Sequence, residues 1–219
     1  MKAVVISGLI IDLSDNIIPF LDKETDVFVH TWDFDENLKW VNKLKRYKKY
    51  CNSLKIIIEP EKFKLKLFSY VYSTYKAVNS IEDIDKYEYI IKFKPNLDAI
   101  RIQYKYNLRG FFNKAKIQSR PLLNNIKKEE CIYGSIYYRT LDERMFTGYP
   151  YGFKKIFKLP YEKFYKKMVD INSNFIEKYG DYEGSLFWTE LIESSGLTLI
   201  QDLNLKLPNN KNFNKKLYE

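Results

Sequence analysis

An α/β fold in one domain, built on a mostly parallel sheet with helices on both faces, is what this sequence predicts. Three observations lead there. Apolar runs recur at Lys2–Ser7 (KAVVIS), Asp26–Thr31 (DVFVHT), Leu54–Ile58 (LKIII) and Tyr87–Lys94 (YEYIIKFK). Runs of that kind suit strands buried on both faces, as parallel strands are. Helix-period segments separate them, which is the alternation of a doubly wound sheet. Finally, 219 residues suffice for one substantial core and are short for two.

The elements follow in order. The first run ends in Ser7-Gly8, a strand feeding a turn. From Asp35, residues Leu38, Val41, Leu44 and Tyr47 fall on one helical face, with Lys39, Lys43, Arg46 and Lys49 elsewhere. Leu65, Phe68, Tyr72, Tyr75 and Asn79 carry the next helical stripe, and Pro95 stops the strand after it. Residues 101–130 are polar and basic with few periodic signals and read as loop. Cys131–Ser135 reads as a strand. Tyr161–Tyr179 and Tyr182–Ser194 read as helices ended by Gly180 and Gly196. Leu197–Gln201 is a last short strand, so the domain is expected over 1–205 with a polar tail over 206–219.

Composition narrows the class. Hydrophobic residues at 45% and charged residues at 30% fit a globular chain and not a disordered one. The 19 Tyr and 15 Phe accompany abundant Lys, Ile and Asn, so they are not read as a carbohydrate platform. A net charge of +9 favours anionic partners such as nucleotide diphosphates, or else reflects lysines covering the solvated faces. The basic residues are scattered without a recognition-module pattern, which argues against nucleic acid. Two cysteines, Cys51 and Cys131, far apart and without metal-ligand neighbours, suit a reduced cytoplasmic protein. No apolar run is long enough for a membrane span. There is no Gly-rich phosphate loop, zinc spacing or nucleophile elbow.

Ligands of doubly wound sheets bind beyond the carboxyl ends of the strands, which singles out Ser7-Gly8, His30–Asp35 and Pro95–Asp98. At the third place, Asn96 and Asp98 offer an amide and a carboxylate two residues apart, hard oxygen ligands for a divalent cation. Lys92 and Lys94 beside them would add charge for a diphosphate; the competing reading is a Pro-Asn turn with exposed lysines. Asp33-Phe-Asp35 is a rival pair, ranked lower because Asp35 suits the N-cap of the following helix. His30 reads as a core histidine satisfied by backbone. Lys76 reads as part of a solvated helix face or as a diphosphate contact.

Taken together and in this order, VVISG, DVFVHTWD, YVYSTYKA, YEYIIKFKPNLD, LDERMFTG (Leu141–Gly148) and DYEGSLFW (from Asp181) resemble a family of bacterial and viral glycosyltransferases of GT-A type. The resemblance spans most of residues 1–200, and its order and spacing carry it, since each stretch is degenerate alone. In that family a strand ends in an Arg-x-Arg-Pro-Asp motif that plays the part of the GT-A Asp-x-Asp. Here Lys92 and Lys94 replace the arginines and Asn96 the first acid, which leaves Asp98. The Arg that the family carries shortly after the first Ser-Gly is absent from GLIIDLSDN.

The resemblance implies a GT-A-like, Rossmann-like domain that transfers a hexose from a nucleotide-sugar, a UDP-sugar, to a glycan, lipid-linked or protein acceptor. Ser7, Gly8, Trp32 and Asp33 would bind the nucleotide, with Lys76, Lys92 and Lys94 on the diphosphate. Mn2+ or Mg2+ would sit on Asp98 and Asn96. Asp142 would act as the acid/base toward the acceptor, with Glu143 adjacent to it; Asp181 and Glu183 are rivals that suit helix capping equally well. The setting implied is the cytoplasm, the host's if the chain is viral. The alternative is a catalytically weakened nucleotide-sugar or glycan-binding protein on the same fold.

Overall fold

The computed structural model describes residues 1–10, 21–33, 41–60, 63–95, 127–137, 140–179 and 184–201. Seven strands form one sheet: β1 (Lys2–Ser7), β2 (Thr25–Trp32), β3 (Ser53–Glu59), β4 (Tyr89–Phe93), β5 (Cys131–Tyr137), β6 (Thr140–Gly148) and β7 (Thr198–Gln201). Their order across the sheet is β3-β2-β1-β4-β6-β5-β7. β1 pairs in parallel with β2 and β4, β2 with β3, and β5 with β7; β6 runs antiparallel to both β4 and β5. The predicted mostly parallel α/β sheet is what the chain forms.

Alternation along β1 divides the core. Ala3 and Val5 face one apolar layer with Phe28 and Ile90, and Val4 and Ile6 face the other with Val27, Val29 and Ile91. The helical stretch 41–45 and the 3-10 turn Arg46–Lys49 cover the second layer with Leu44, Tyr47 and Cys51. Val41 is buried with them as expected, and Leu38 lies outside the described residues.

The first layer is covered by α1 (Lys66–Asn79), α2 (Pro150–Phe157), α3 (Tyr161–Tyr179) and α4 (Gly184–Glu193). α1 is buried on nearly every side, from Leu67 to Tyr75 and at Ala77 and Val78. It packs on β1 and β2 with one face and on the other helices with the opposite one. Tyr75, for example, stacks on Phe164 with ring centroids 4.4 Å apart. A helix enclosed in this way carries apolar residues all round and not in a single stripe.

Two elements depart from expectation. β6 and α2 occupy Thr140–Gly148 and Pro150–Phe157, where the sequence pattern announced neither. Asp142, Glu143 and Arg144 interrupt the alternation of β6, and α2 is short, with Pro150 at its first position, where a missing N–H costs nothing. Of the loop expected over 101–130, residues 101–126 lie outside the described residues, and Lys128–Glu130 forms a 3-10 turn before β5. Gly196 closes α4 at φ +66° as its spacing predicted, and Gly180 lies outside the described residues.

β6 is also irregular. Gly134 pairs with Phe146 but Ile136 pairs with Leu141, so β6 carries surplus residues between Leu141 and Phe146. Bulges of this kind re-aim side chains. Glu143 stands inside this one.

Candidate functional site

The carboxyl ends of β1, β2 and β4 lie side by side, and Gly8 marks their centre. Its φ of +111° is one that L side chains rarely adopt. A Cβ there would lie 3.0 Å from Cδ2 of Tyr70. The Gly8 N–H donates to Ser73 Oγ at 2.7 Å, and Ser73 donates to the His30 carbonyl at 2.9 Å. The small polar residues of α1 thus fasten the ends of β1 and β2 from beneath.

Tyr70 forms one wall. Its hydroxyl donates to the Glu143 carbonyl at 2.8 Å, and the Lys94 ammonium lies 4.7 Å from its ring centroid. Lys94 Nζ is 3.4 Å from Glu143 Oε1, and Ser185, in the first turn of α4, donates to Oε2 at 2.8 Å. Burial alone would raise the Glu143 pKa; the Lys94 charge, the Ser185 hydroxyl and the Lys92 charge outweigh it and hold the carboxyl below its usual range. Glu143 is therefore an ionised carboxylate at a helix N-terminus, where negative charge is favoured.

The expected site residues fall into distinct places. Gly8, Lys94 and the exposed Asp33 stand at the strand ends. Ser7, Trp32 and Lys92 are inside the core. The Ser7 hydroxyl shares a 2.7 Å hydrogen bond with Thr74, and the Trp32 ring stacks on Tyr72 with centroids 5.9 Å apart. Lys92 is fully buried, with its Nζ directed at Tyr70 Oη and the Glu143 carbonyl. These three support the strand ends from below and present no side chain to a ligand there, because each faces a helix packed on the sheet.

Lys76 belongs elsewhere. Six residues beyond Tyr70 on α1, it points about 240° away around the helix. It pairs with Glu59 at 2.6 Å, beside a groove of about 420 Å³ lined by Ile57, Tyr72, Tyr75, Lys76, Asn79 and Tyr161. Glu59, at the end of β3, also lies 3.5 Å from Nε2 of His30. Burial would raise the Glu59 pKa, but Lys76 and His30 bring it below the usual value. His30 is a core histidine as read from its strand position, and its ring meets the side chains of Ser73 at 2.9 Å and Glu59 at 3.5 Å.

Asp142 lies on β6, and its side chain is outside the described residues, as are Asn96, Asp98, Asp181 and Glu183. Among the described residues no group of three or more His, Cys, Asp or Glu could hold a metal ion. Of the described acids, Glu143 is engaged by Lys94 and Ser185. Sequence reasoning passed over Glu143 for its neighbour; its signal is the bulge, which no single-sequence pattern announces.

This arrangement can be set beside known proteins. No protein-family model matches the chain, and no curated protein matches it by sequence. Two crystal structures of the glycosyltransferase GlyE of Streptococcus pneumoniae TIGR4 do match in structure. The apo form matches with a TM-score of 0.53 at 10% identity, the other with 0.51 at 7%, each over 92% of this chain and 45% of GlyE. The fold is one that a glycosyltransferase uses. At such identity the likeness is one of fold, and the chain spans less than half the length of GlyE. Among the described residues no helix is long and apolar enough to cross a membrane.

Proposed function

We propose that this chain is a glycosyltransferase that takes a sugar from a nucleotide-sugar, a UDP-sugar, with the donor diphosphate lying over Gly8 and against Lys94. The observation that supports this most is the Lys94–Glu143–Ser185 cluster beside Gly8, at the strand ends of a sheet shared in outline with GlyE. Strand ends are where such sheets bind ligands. Gly8 is buried at the centre of those ends, with its missing Cβ making room for the Tyr70 ring, and beside it a lysine held by a carboxylate is a cation aimed in advance.

Each residue then has a task. Asp33 faces the nucleoside end. Glu143 orients Lys94, and Asp142, on the same bulged strand, is the proposed base for the acceptor hydroxyl, with Asp181 and Glu183 as rivals. Ser7, Trp32 and Lys92 act from beneath. A Mn2+ or Mg2+ held by Asp98 and Asn96 would offset the charge of the leaving diphosphate.

Glu143 already engaged by a lysine and a serine also suits the second reading, a binder of nucleotide-sugars without turnover. Incubating the protein with a panel of UDP-sugars and generic glycan acceptors, with release of UDP and UDP binding both measured, separates the readings. Binding with UDP release supports transfer, and binding without it supports the binder. No binding of UDP or any UDP-sugar at millimolar concentration, with or without Mn2+, overturns both.

A further inference from the structure

Two lysines two residues apart hold Glu143 at both its ends. Lys92, within β4, donates from Nζ to the Glu143 carbonyl and to Tyr70 Oη, and Tyr70 donates to the same carbonyl. Lys94, the next residue on that face, meets the Glu143 carboxylate. The ring of Tyr70 lies between them, 4.2 Å from the Lys92 ammonium and 4.7 Å from that of Lys94.

Lys92 is an expensive residue for a core. It is fully buried, with the Trp188 and Phe146 ring centroids 5.0 Å and 5.3 Å from its ammonium. Burying an ammonium costs several kcal/mol even after relaxation, and an apolar residue of similar volume is often as stable or more so. Cation–π contacts offset only part of this, about 0.5–2 kcal/mol each. Stability alone would favour methionine here. What methionine could not do is donate to the Glu143 carbonyl where the β5–β6 register breaks.

We propose that Lys92 is a positioning residue: its buried ammonium fixes the bulged backbone at Glu143, and thereby the carboxylate that aims Lys94 at the donor diphosphate. What Lys94 does rests on the transferase reading. The hold on Glu143 rests on geometry alone.

The test compares Lys92→Met, which keeps volume and removes charge, with Lys92→Arg, which restores charge. Backbone amide resonances of Leu141–Met145 and Ser185 are recorded together with UDP affinity. Lys92→Met is expected to fold with a melting temperature at or above that of the wild type and to shift these resonances. UDP affinity should fall about tenfold, the size of one lost charge-assisted hydrogen bond, with partial recovery in Lys92→Arg. Resonances and affinity both at wild-type values in Lys92→Met would overturn the proposal. Should Lys92→Met fail to fold, Lys92→Gln, which also removes the charge, takes its place, and β6 resonances and UDP affinity both at wild-type values there overturn it equally. If the wild type binds no UDP, the transferase reading fails alone, and the resonance shifts still decide whether Lys92 holds Glu143.

Discussion

The hydroxyl of Ser73 accepts a hydrogen bond from the Gly8 backbone N–H at 2.7 Å, tying the middle of α1 to the end of β1. The same hydroxyl donates to the His30 carbonyl on β2. One small side chain thus fastens two adjacent strand ends to the helix that carries Tyr70. The opening of the proposed donor site is set by these bonds more than by any exposed residue.

Gly8→Ala is therefore expected to be damaging in two ways. A Cβ at φ +111° is strained, and it would meet the Tyr70 ring at 3.0 Å. The loss of stability should be roughly 1–3 kcal/mol, read as a lower urea midpoint at unchanged slope. Gly152→Ala serves as the comparison. Its Cβ would be tight on the flexible Cδ1 of Ile132 at 3.2 Å and in ordinary contact with the Glu129 carbonyl at 3.6 Å, without a positive φ, so its effect should be smaller.

Lys94→Ala separates binding from folding. The pair with Glu143 is part-exposed, at 34% and 18% of the side chains, so its removal should change stability by less than about 1 kcal/mol. If Lys94 faces the diphosphate, UDP affinity should fall about tenfold, and the loss should shrink at high salt. Calorimetric titration at two ionic strengths checks both. An affinity equal to wild type at low salt would remove Lys94 from the donor site.

Asp26 reports on the opposite end of β2. Burial would raise its pKa, but donors from Ser53 at 2.6 Å, Tyr87 at 2.7 Å, Asn52 at 2.8 Å and Lys86 at 3.3 Å bring it down to about 2. A carboxyl lowered in the folded state contributes stability above its unfolded pKa of about 4, and loses it as pH falls through about 2; the shift is worth about 2 kcal/mol. Asp26→Asn should thus be less stable than wild type by about that amount at pH 7, and the gap should narrow steadily below pH 4. Urea unfolding across that range tests the sign. UDP binding below the melting range should be unaffected, because Asp26 lies at the start of β2 and Gly8 beside its end.

The alternation of apolar strands and helices was enough to read the sheet, since a parallel strand buried on both faces leaves a continuous run such as AVVIS. The bounds of α3 match the reading from its pattern, Tyr161–Tyr179. β6 was not legible because three charged residues sit in its middle, and a bulge has no sequence period. At the site, the rule that ligands gather at strand ends selected Gly8 and Lys94. It could not tell that Ser7, Trp32 and Lys92 turn inward, because parity assigns a face of the sheet and not what covers it. Glu59 was invisible for another reason: Lys76 and His30 lie far from it in the chain.

The proposed metal site is tested at Asp98. If Asp98 and Asn96 hold a divalent cation that bridges the diphosphate, wild-type UDP binding should tighten on adding Mn2+ and weaken again with a chelator. Asp98→Ala should lose that dependence and keep the metal-free affinity, since Lys94 and Gly8 remain. The replacement of an acid by Asn96 leaves one carboxylate, which lowers affinity for a hard cation. Asn96→Asp is accordingly expected to strengthen the Mn2+ effect. Binding that is indifferent to Mn2+ in wild type, Asp98→Ala and Asn96→Asp alike would leave charge compensation to the lysines and rule out the metal assignment.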